Sequence, residues 1–244
     1  MPVAQPVAED REAIFDELLG PHRIRTVLHS IRSIQNGRGV MGHEALMRGP
    51  RGVPFESPPL AFAMAATMGM VERLDTSCVR LASRVTTSGR LFINVHPRTL
   101  IGHREFWGLI GEIVEYGPRR PSEIVFEIVE HSTERDSDLP RSIQELRGLG
   151  FGLAVDDLGE GASGLRRVVE TEPDFVKIDR YFIAGVDREP RKRAVVRAIA
   201  SMARELEADV IAEGIESEDE LRVLVDLGIE YGQGFYFDRP GEVM

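Results

Sequence analysis

The sequence predicts an α/β barrel, and three observations support that fold class. Short apolar segments alternate with segments of helical periodicity along most of the 244 residues, which is the pattern of a parallel sheet covered by helices on both faces. Eight such apolar segments occur, and eight strands in a chain of this length favour a closed barrel over an open sheet. Polar residues recur at or near the carboxyl ends of seven successive segments, where barrel enzymes place their active sites.

The predicted strands are short, and helices separate all but the first two. The strand segments cover residues 24–34, 39–47, 91–95, 123–130, 151–157, 174–179, 209–216 and 231–237. The predicted helices cover residues 10–19, 59–87, 104–116, 139–149, 189–207 and 219–227. Asn36-Gly37 separates the first two strands, and because Asn-Gly is typical of a tight hairpin, these two are predicted to be antiparallel.

This order of elements divides the chain into two segments. Residues 1–21 are predicted to form an N-terminal tail and a short helix, and residues 22–244 a single barrel domain. The sequence ends shortly after the eighth strand, so the usual final outer helix of such a barrel is expected to be missing.

Composition narrows the class of protein. The chain is 42% hydrophobic, which is sufficient for a large core, and its formal net charge of −10 argues against coating a nucleic-acid polymer. A small anionic substrate remains compatible with that charge if metal ions mediate the contact. The only cysteine, Cys78, excludes an internal disulfide and indicates a reducing compartment. No secretory signal and no membrane-spanning apolar run are recognisable, so a cytoplasmic location is expected.

The segment from Phe151 to Gly161 carries the strongest chemical signal. A buried-looking strand ends in two adjacent carboxylates, Asp156 and Asp157, followed by a glycine-rich turn. Adjacent like charges repel each other, so a cation between them would stabilise the pair. The alternative is an Asp that caps a helix beside a solvated neighbour. The polar ends of the other strands favour the cation site.

The polar strand ends form an oxygen-only set of metal ligands. Its members are Glu44, Asn94, Glu127, Asp156, Asp157 and Glu213. Mg²⁺ and Mn²⁺ prefer such ligands, whereas zinc would be expected to recruit His or Cys. Five carboxylates exceed what one Mg²⁺ usually binds, so two ions bridged by Asp156 are predicted, an arrangement suited to water attack on a phosphodiester. His43, His96 and His131 lie out of phase with the carboxylates and are interpreted as structural or supporting.

Two further polar residues are predicted to act in the site. Lys177 could orient the attacking water or stabilise charge on a phosphate. A salt bridge to Asp179 is the alternative, but strand alternation directs these two side chains to opposite faces. Gln233 is interpreted as an orienting hydrogen-bond partner.

A competing motif is present at residues 159–164, which match G-x-G-x-x-G after a strand. A dinucleotide pyrophosphate bound there would lie beside Asp156 and Asp157 and against Glu160. Because that arrangement is repulsive, and because the motif lies in the middle of the chain, a nucleotide-cofactor fold is not favoured.

The polar segments at the strand ends, from Glu44 to Gln233, resemble in type and in order the motifs of the EAL domain family, the bacterial cyclic di-GMP phosphodiesterases. The matching segments are Glu44-Ala45-Leu46 with Arg48, Asn94-Val-His-Pro97, Glu127-Ile-Val-Glu130, Asp156-Asp157-Leu-Gly, Lys177-Ile-Asp179, Ala212-Glu-Gly-Ile-Glu216 and Gln233-Gly. The resemblance extends from about residue 24 to residue 240. It implies a modified TIM-type (β/α)8 barrel with one antiparallel strand, which hydrolyses cyclic di-GMP to linear pGpG with Mg²⁺ or Mn²⁺.

The resemblance also implies roles for individual residues. Glu44, Asn94, Glu127 and Asp156 would hold one metal ion, and Asp156, Asp157 and Glu213 the other. Lys177 would contact the attacking water, and Gln233 would help to position it. The remaining matches are Glu216, an additional acidic residue near the site, Glu130, which steadies a loop, and Leu46 and Arg48, which contact substrate.

Departures from the family pattern keep a second function open. Leu158, Glu160 and Ala162 replace residues usual in the loop after Asp157, which aligns the second metal and mediates dimer communication in the family. His96 replaces a usual Ser, and His29-Ser30 stands where Gln-Pro is common. The alternatives are therefore a catalytically weak or inactive cyclic di-GMP receptor or protein-interaction module, and a metal enzyme acting on another phosphodiester or a carbonyl substrate. Regulation is expected through a homodimer, a protein partner or a longer parent protein.

Overall fold

The computed structural model describes residues 8–35, 39–128, 138–158 and 164–242. Among them are nine strands, β1 (Arg25–Ser33), β2 (Val40–Arg48), β3 (Arg90–Val95), β4 (Ile124–Ile128), β5 (Gly152–Leu158), β6 (Phe175–Ile178), β7 (Asp209–Ala212), β8 (Tyr231–Gly232) and β9 (Gly241–Glu242). The helices are α1 (Ala8–Leu19), α2 (Pro58–Met68), α3 (Val71–Ala82), α4 (Pro97–Leu100), α5 (Arg104–Tyr116), α6 (Leu139–Gly148), α7 (Gly164–Thr171), α8 (Arg180–Ile183), α9 (Pro190–Glu205) and α10 (Glu218–Asp226).

Strands β1 to β8 close into a barrel. The order runs from β2 through β8 to β1, and β1 also pairs with β2, which completes the ring. β1 is antiparallel to both of its neighbours in the ring, whereas successive strands from β2 to β8 are parallel. The predicted fold class, including its one antiparallel strand, is thereby confirmed. β9 lies outside the ring and pairs with β1 at Val27 and Leu28.

The chain after β8 differs from the predicted strand over residues 231–237. The strand ends at Gly232 because the next residues bond to the loop after β7: the Ile215 N–H donates to the Gln233 carbonyl and the Ile215 carbonyl accepts from the Tyr236 N–H. Within the described part of the chain, which reaches residue 242, no helix follows β8.

The predicted helix over residues 59–87 is two helices. Gly69 ends α2 in a left-handed conformation, with φ of 71°, which glycine adopts without steric cost. After this break α3 begins at Val71 and ends at Ala82. None of the helices that the structure describes has the length and apolarity needed to cross a membrane.

The barrel interior below the mouth is apolar. We call the carboxyl end of the parallel strands the mouth, and the cluster beneath it the apolar floor. The floor consists of the buried residues Ile31, Phe92, Val125, Ala154, Phe175 and Ile211, with Met41 and Tyr231 packed against them. The rings of Phe92 and Phe175 meet edge to face with centroids 5.2 Å apart. Such interdigitated packing gives the mouth a rigid base.

A buried carboxylate ties α3 to the end of β3. Asp75 is only 3% exposed, and its Oδ2 accepts a hydrogen bond from the His96 backbone N–H at 2.9 Å. His96 is the first residue after β3 and caps α4. Burial raises the pKa of Asp75 to about 6, against the lowering effect of that hydrogen bond. This contact fixes the end of the strand that carries Asn94.

Asp75 is expected to make stability fall as the pH rises from about 4 to about 6. The folded protein binds this proton more tightly than the unfolded chain, so ionisation costs folding free energy, about 3 kcal/mol for a shift of about two units. Asp75→Asn should remove this cost. Urea unfolding between about pH 4.5 and about pH 7.5 should show the variant gaining on wild type as the pH rises.

Glu112→Gln is the matched control, because Glu112 is an exposed partner of Arg80 on a neighbouring helix. Its pH dependence should follow that of wild type. Parallel curves for wild type and Asp75→Asn would contradict the assignment.

Candidate metal centre at the barrel mouth

A layer of polar side chains lies directly above the apolar floor, and we call it the polar layer. On or directly after β3 to β8, each member stands two positions beyond a floor residue, so strand alternation directs it to the same inner face. These members are Asn94, Glu127, Asp156, Lys177, Glu213 and Gln233, and β2 adds Glu44. Glu44 lies in the middle of β2 rather than near its end, which corrects the expectation for this residue.

The ammonium of Lys177 occupies the centre of the polar layer. Its side chain is fully buried, and Nζ lies 2.8 Å from Glu213, 2.9 Å from Glu127, 3.1 Å from Asp156 and 3.5 Å from Glu44. The alternative pairing with Asp179 is not formed, because the Asp179 carboxylate caps α8 by accepting from the Tyr181 N–H. The structure thus places Lys177 among the acidic side chains at the barrel mouth.

The burial of so many carboxylates around one ammonium shifts their protonation. Desolvation raises the pKa of Glu127 and of Glu213 well above the usual glutamate range, and the attraction of Lys177 only partly opposes it. Burial also lowers the pKa of Lys177, but the four surrounding carboxylates outweigh it and raise that pKa well above its ordinary value. Glu127 and Glu213 therefore retain their protons more readily than exposed glutamates do, and a cation beyond Lys177 would favour their ionised forms.

Among the carboxylates of the polar layer, Glu44 accepts hydrogen bonds from two side-chain amides. Its Oε1 accepts from Asn94 Nδ2 at 3.0 Å and its Oε2 from Gln233 Nε2 at 2.5 Å. Burial opposes its ionisation, yet Lys177 and these two donors together hold its pKa below the ordinary value. The Asn94 amide thus donates through nitrogen and keeps its oxygen for another partner.

The acidic residues form two triads that share Asp156. Oxygen atoms of Glu44, Glu127 and Asp156 lie within 4.8 Å of one another, and so do oxygen atoms of Asp156, Asp157 and Glu213. Glu127 Oε1 is ion-paired with Lys177, whereas Glu127 Oε2 is buried and has no hydrogen-bond partner among the described residues. Buried, unpaired carboxylate oxygens are costly unless a cation binds them. The donor set therefore fits hard divalent cations.

A β-bulge brings the two adjacent aspartates together. Regular alternation would direct Asp156 and Asp157 to opposite faces, but the β5–β6 register shifts between Val155 and Leu158. Asp157 has φ of 53°, and its N–H donates to Asp156 Oδ1 at 2.9 Å. A left-handed aspartate is tolerated at a cost of roughly 1–3 kcal/mol, and such strain clusters at functional sites. The strain here lets consecutive carboxylates serve the same centre.

A cavity of about 560 Å³ opens beside the first triad. Glu44, Asn94, Asp156 and Asp157 form its polar side. Its other walls are mainly apolar and include Leu46, Met47, Phe62, Cys78 and Leu81. A cavity of this size with a few polar groups on one wall is suited to a small organic ligand.

Glu216 and Arg48 are predicted site residues that lie outside the polar layer. Glu216 lies in the loop after β7, is exposed, and pairs with Arg180 at 2.6 Å. Arg48 ends β2, and its Nη1 donates to the Met47 carbonyl at 2.8 Å. Glu130 lies outside the described residues, as do His131 and the residues 159–163 of the glycine-rich motif.

Sequence reasoning missed His29, which belongs to the polar layer. His29 is 6% exposed and faces Glu44 across the β1–β2 pair. Because β1 runs antiparallel to the other strands, its earlier residues are the ones that reach the mouth. His29 lies two positions before Ile31, and this spacing on the reversed strand could have predicted it. Asp75 was also missed, since an acid within a helix gave no signal, although it lines the cavity.

Two of the histidines considered at the strand ends, His43 and His96, contact residues outside the polar layer. His43 Nδ1 lies 2.9 Å from Thr87 Oγ1 and 3.2 Å from the Ser88 carbonyl. His96 Nδ1 accepts from the Arg98 N–H at 3.2 Å. Neither belongs to the acidic triads.

Known proteins are similar to this chain in sequence and in fold. The family model described as EAL domain matches residues 13–240. Cyclic di-GMP phosphodiesterase RocR of Pseudomonas aeruginosa is 30% identical over 214 residues, which cover 84% of this chain and 54% of RocR. This chain therefore spans about half the length of RocR.

Two solved structures show the same fold. The cAMP-bound form of the EAL enzyme Bd1971 has a TM-score of 0.84 and 25% identity, covering 96% of this chain and 68% of that one. Klebsiella pneumoniae BlrP1 with manganese and cyclic di-GMP has a TM-score of 0.79 and 27% identity, covering 91% and 61%. With a matching family model over nearly all of its length and the motif residues gathered at the mouth of the same barrel, the chain belongs to the EAL domain family.

Proposed function

We propose that this domain is a metal-dependent phosphodiesterase that hydrolyses cyclic di-GMP to linear pGpG. The observation that carries the proposal is the pair of acidic triads sharing Asp156 at the barrel mouth. The functions of relatives support it, because RocR is a cyclic di-GMP phosphodiesterase and BlrP1 is seen with manganese and cyclic di-GMP.

The charge of the site supports two divalent ions. Glu44, Glu127, Asp156, Asp157 and Glu213 surround a single lysine, so the fully ionised cluster has four uncompensated negative charges, which two divalent cations would balance. Such ions, when bound, acidify a water and neutralise charge on a phosphodiester. Glu44, Asn94, Glu127 and Asp156 would hold one Mg²⁺ or Mn²⁺ ion, and Asp156, Asp157 and Glu213 the other.

The remaining polar residues would orient the water and the phosphate. Lys177 Nζ lies in the middle of the cluster, where it can donate to the attacking water or to a phosphate oxygen. Gln233 contacts Glu44 through its nitrogen, and its Oε1 is buried without a partner among the described residues. That oxygen can accept a hydrogen bond from the water. Glu216, through its pair with Arg180, would hold the loop that begins with Glu213.

The cavity beside the first triad would receive a nucleotide moiety of the substrate. Its apolar walls suit the faces of a purine, while its polar side places the phosphodiester next to the metal ligands. Leu46 lines this cavity, and Arg48 follows two positions later on the same strand face, where its guanidinium can reach a phosphate. We further propose control through a homodimer or a regulatory protein partner.

Binding without turnover is the second candidate function. It is favoured by the substitutions at Leu158, Glu160 and Ala162, next to Asp157 of the second triad. A receptor of this kind would keep the cavity and the first triad while lacking a productive second ion. The two functions differ in whether pGpG appears.

Wild-type protein with cyclic di-GMP and Mn²⁺ or Mg²⁺ is expected to release pGpG. Asp156→Asn should lower the rate by more than about 100-fold, because loss of a direct ligand should exceed the 10–100-fold effect of losing a residue that only supports one. Chromatography of the products measures both outcomes. Glu112→Gln, which removes an exposed carboxylate on α5, should behave as wild type.

Absence of pGpG from wild type, with Asp156→Asn indistinguishable from it, would overturn the phosphodiesterase proposal. Tight calorimetric binding of cyclic di-GMP in that case would establish the receptor instead.

Calorimetric titration with Mn²⁺ is expected to find two ions in wild type and one in Asp157→Asn. Asparagine tolerates the left-handed backbone of residue 157, so this variant should fold while losing a charged ligand of the second triad only. Asp156→Asn should weaken both sites, since both triads use Asp156. A single ion in wild type and an unchanged titration in Asp157→Asn would contradict the two-metal arrangement.

A further inference from the structure

His29 lies in the polar layer, but it belongs to neither acidic triad. Ile31 belongs to the apolar floor, and on the reversed strand β1 the residue two positions earlier reaches the mouth on the same inner face. His29 pairs in register with Glu44 and is buried. It does not line the cavity beside the first triad.

The hydrogen bonds around Gln233 determine how the His29 ring is protonated. Gln233 Nε2 lies 2.5 Å from Glu44 Oε2 and 3.2 Å from His29 Nδ1. A carboxylate only accepts, so the amide group facing Glu44 must be the NH₂, which has a second N–H for His29. His29 Nδ1 is therefore an acceptor. The ring proton is on Nε2, which lies 3.3 Å from the Asp238 carbonyl oxygen.

The far end of this chain of hydrogen bonds is anchored to β1 itself. The Asp238 carboxylate accepts from the Ser30 hydroxyl and, at 3.3 Å, from Arg32 Nη2. The same carboxylate lies 3.8 Å from His29 Nε2, and the Phe235 ring lies beside the imidazole with centroids 6.3 Å apart. Two residues that follow His29 along β1 thus hold Asp238, whose carbonyl contacts the His29 ring.

These two contacts of the Gln233 amide nitrogen determine the direction of its side-chain oxygen, Oε1. Once both N–H groups are directed to Glu44 and His29, Oε1 points away from these partners. It is buried and has no hydrogen-bond partner among the described residues. Such an acceptor requires a donor that the protein does not supply.

We propose that His29 is a positioning residue, which fixes the amide orientation of Gln233 so that Oε1 accepts from the attacking water. The inference rests on the proposed phosphodiesterase function. Glu44 alone can hold one N–H of the amide, but it leaves the amide free to tilt about its last torsion. His29 supplies the second contact that removes this freedom.

His29→Phe is expected to lower kcat about tenfold, the effect of one lost hydrogen bond of about 1.4 kcal/mol. KM should stay within about twofold, because His29 does not line the cavity. His29→Gln offers an acceptor at the same place and should restore most of the rate. In a Gln233→Ala background, His29→Phe should cost nothing more, since the residue on which it acts is gone.

His43→Phe is the matched control, because His43 lies on the paired strand and contacts Thr87 and Ser88 outside the polar layer. Its kcat should equal that of wild type. Equal losses from His29→Phe in the wild-type and Gln233→Ala backgrounds would overturn the proposal, as would a change confined to KM.

A readout that needs no turnover separates this inference from the proposed function. Ring ¹⁵N NMR of the wild-type protein should find His29 neutral with the proton on Nε2, the resonance being assigned by its loss in His29→Gln. Gln233→Ala should shift the Nδ1 resonance of His29 and leave that of His43 in place. A proton on Nδ1 would refute the orientation even if wild type hydrolyses cyclic di-GMP, whereas the expected tautomer without hydrolysis would refute only the phosphodiesterase.

Discussion

The contact between one buried ammonium and four carboxylates is the constraint on which the site depends. Lys177 lies within 3.5 Å of Glu44, Glu127, Asp156 and Glu213. Without that lysine, four acids would face one another at low dielectric, where their repulsion is strong. Lys177 holds the four acids together, but one positive charge cannot balance four carboxylates in their ionised forms. Full ionisation of the acids therefore requires further cations.

The barrel satisfies this constraint through its layering. Apolar residues fill the interior immediately below, and each strand from β3 to β8 then delivers one polar residue two positions later. β1 joins the same layer from the opposite direction, which is how His29 comes to face Glu44. The one departure from regular alternation is the bulge at Asp157, where backbone strain adds a second triad to the first.

Much of this arrangement could be predicted because it follows from strand periodicity. The parallel barrel, its antiparallel hairpin and the convergence of Glu127, Asp156 and Lys177 depend on alternation and on strand ends, both of which a sequence displays. What could not be predicted depends on non-local contacts. The eighth strand ends early because Ile215 forms hydrogen bonds with the residues that would extend it. The bulge at Asp157 is a shift in the pairing of β5 with β6. Glu216 shows the same limit, since its exposed pair with Arg180 joins the loop after β7 to the start of α8.

Crystals grown with Mn²⁺ and measured at the manganese absorption edge would test the central claim most directly. The account predicts two anomalous peaks at the mouth, one against Glu44, Glu127 and Asp156 and one against Asp156, Asp157 and Glu213. It also predicts that Lys177 Nζ withdraws from some of its four carboxylates as the ions take over their charge. Absence of any peak at full Mn²⁺ saturation, with Lys177 still among all four carboxylates, would contradict it.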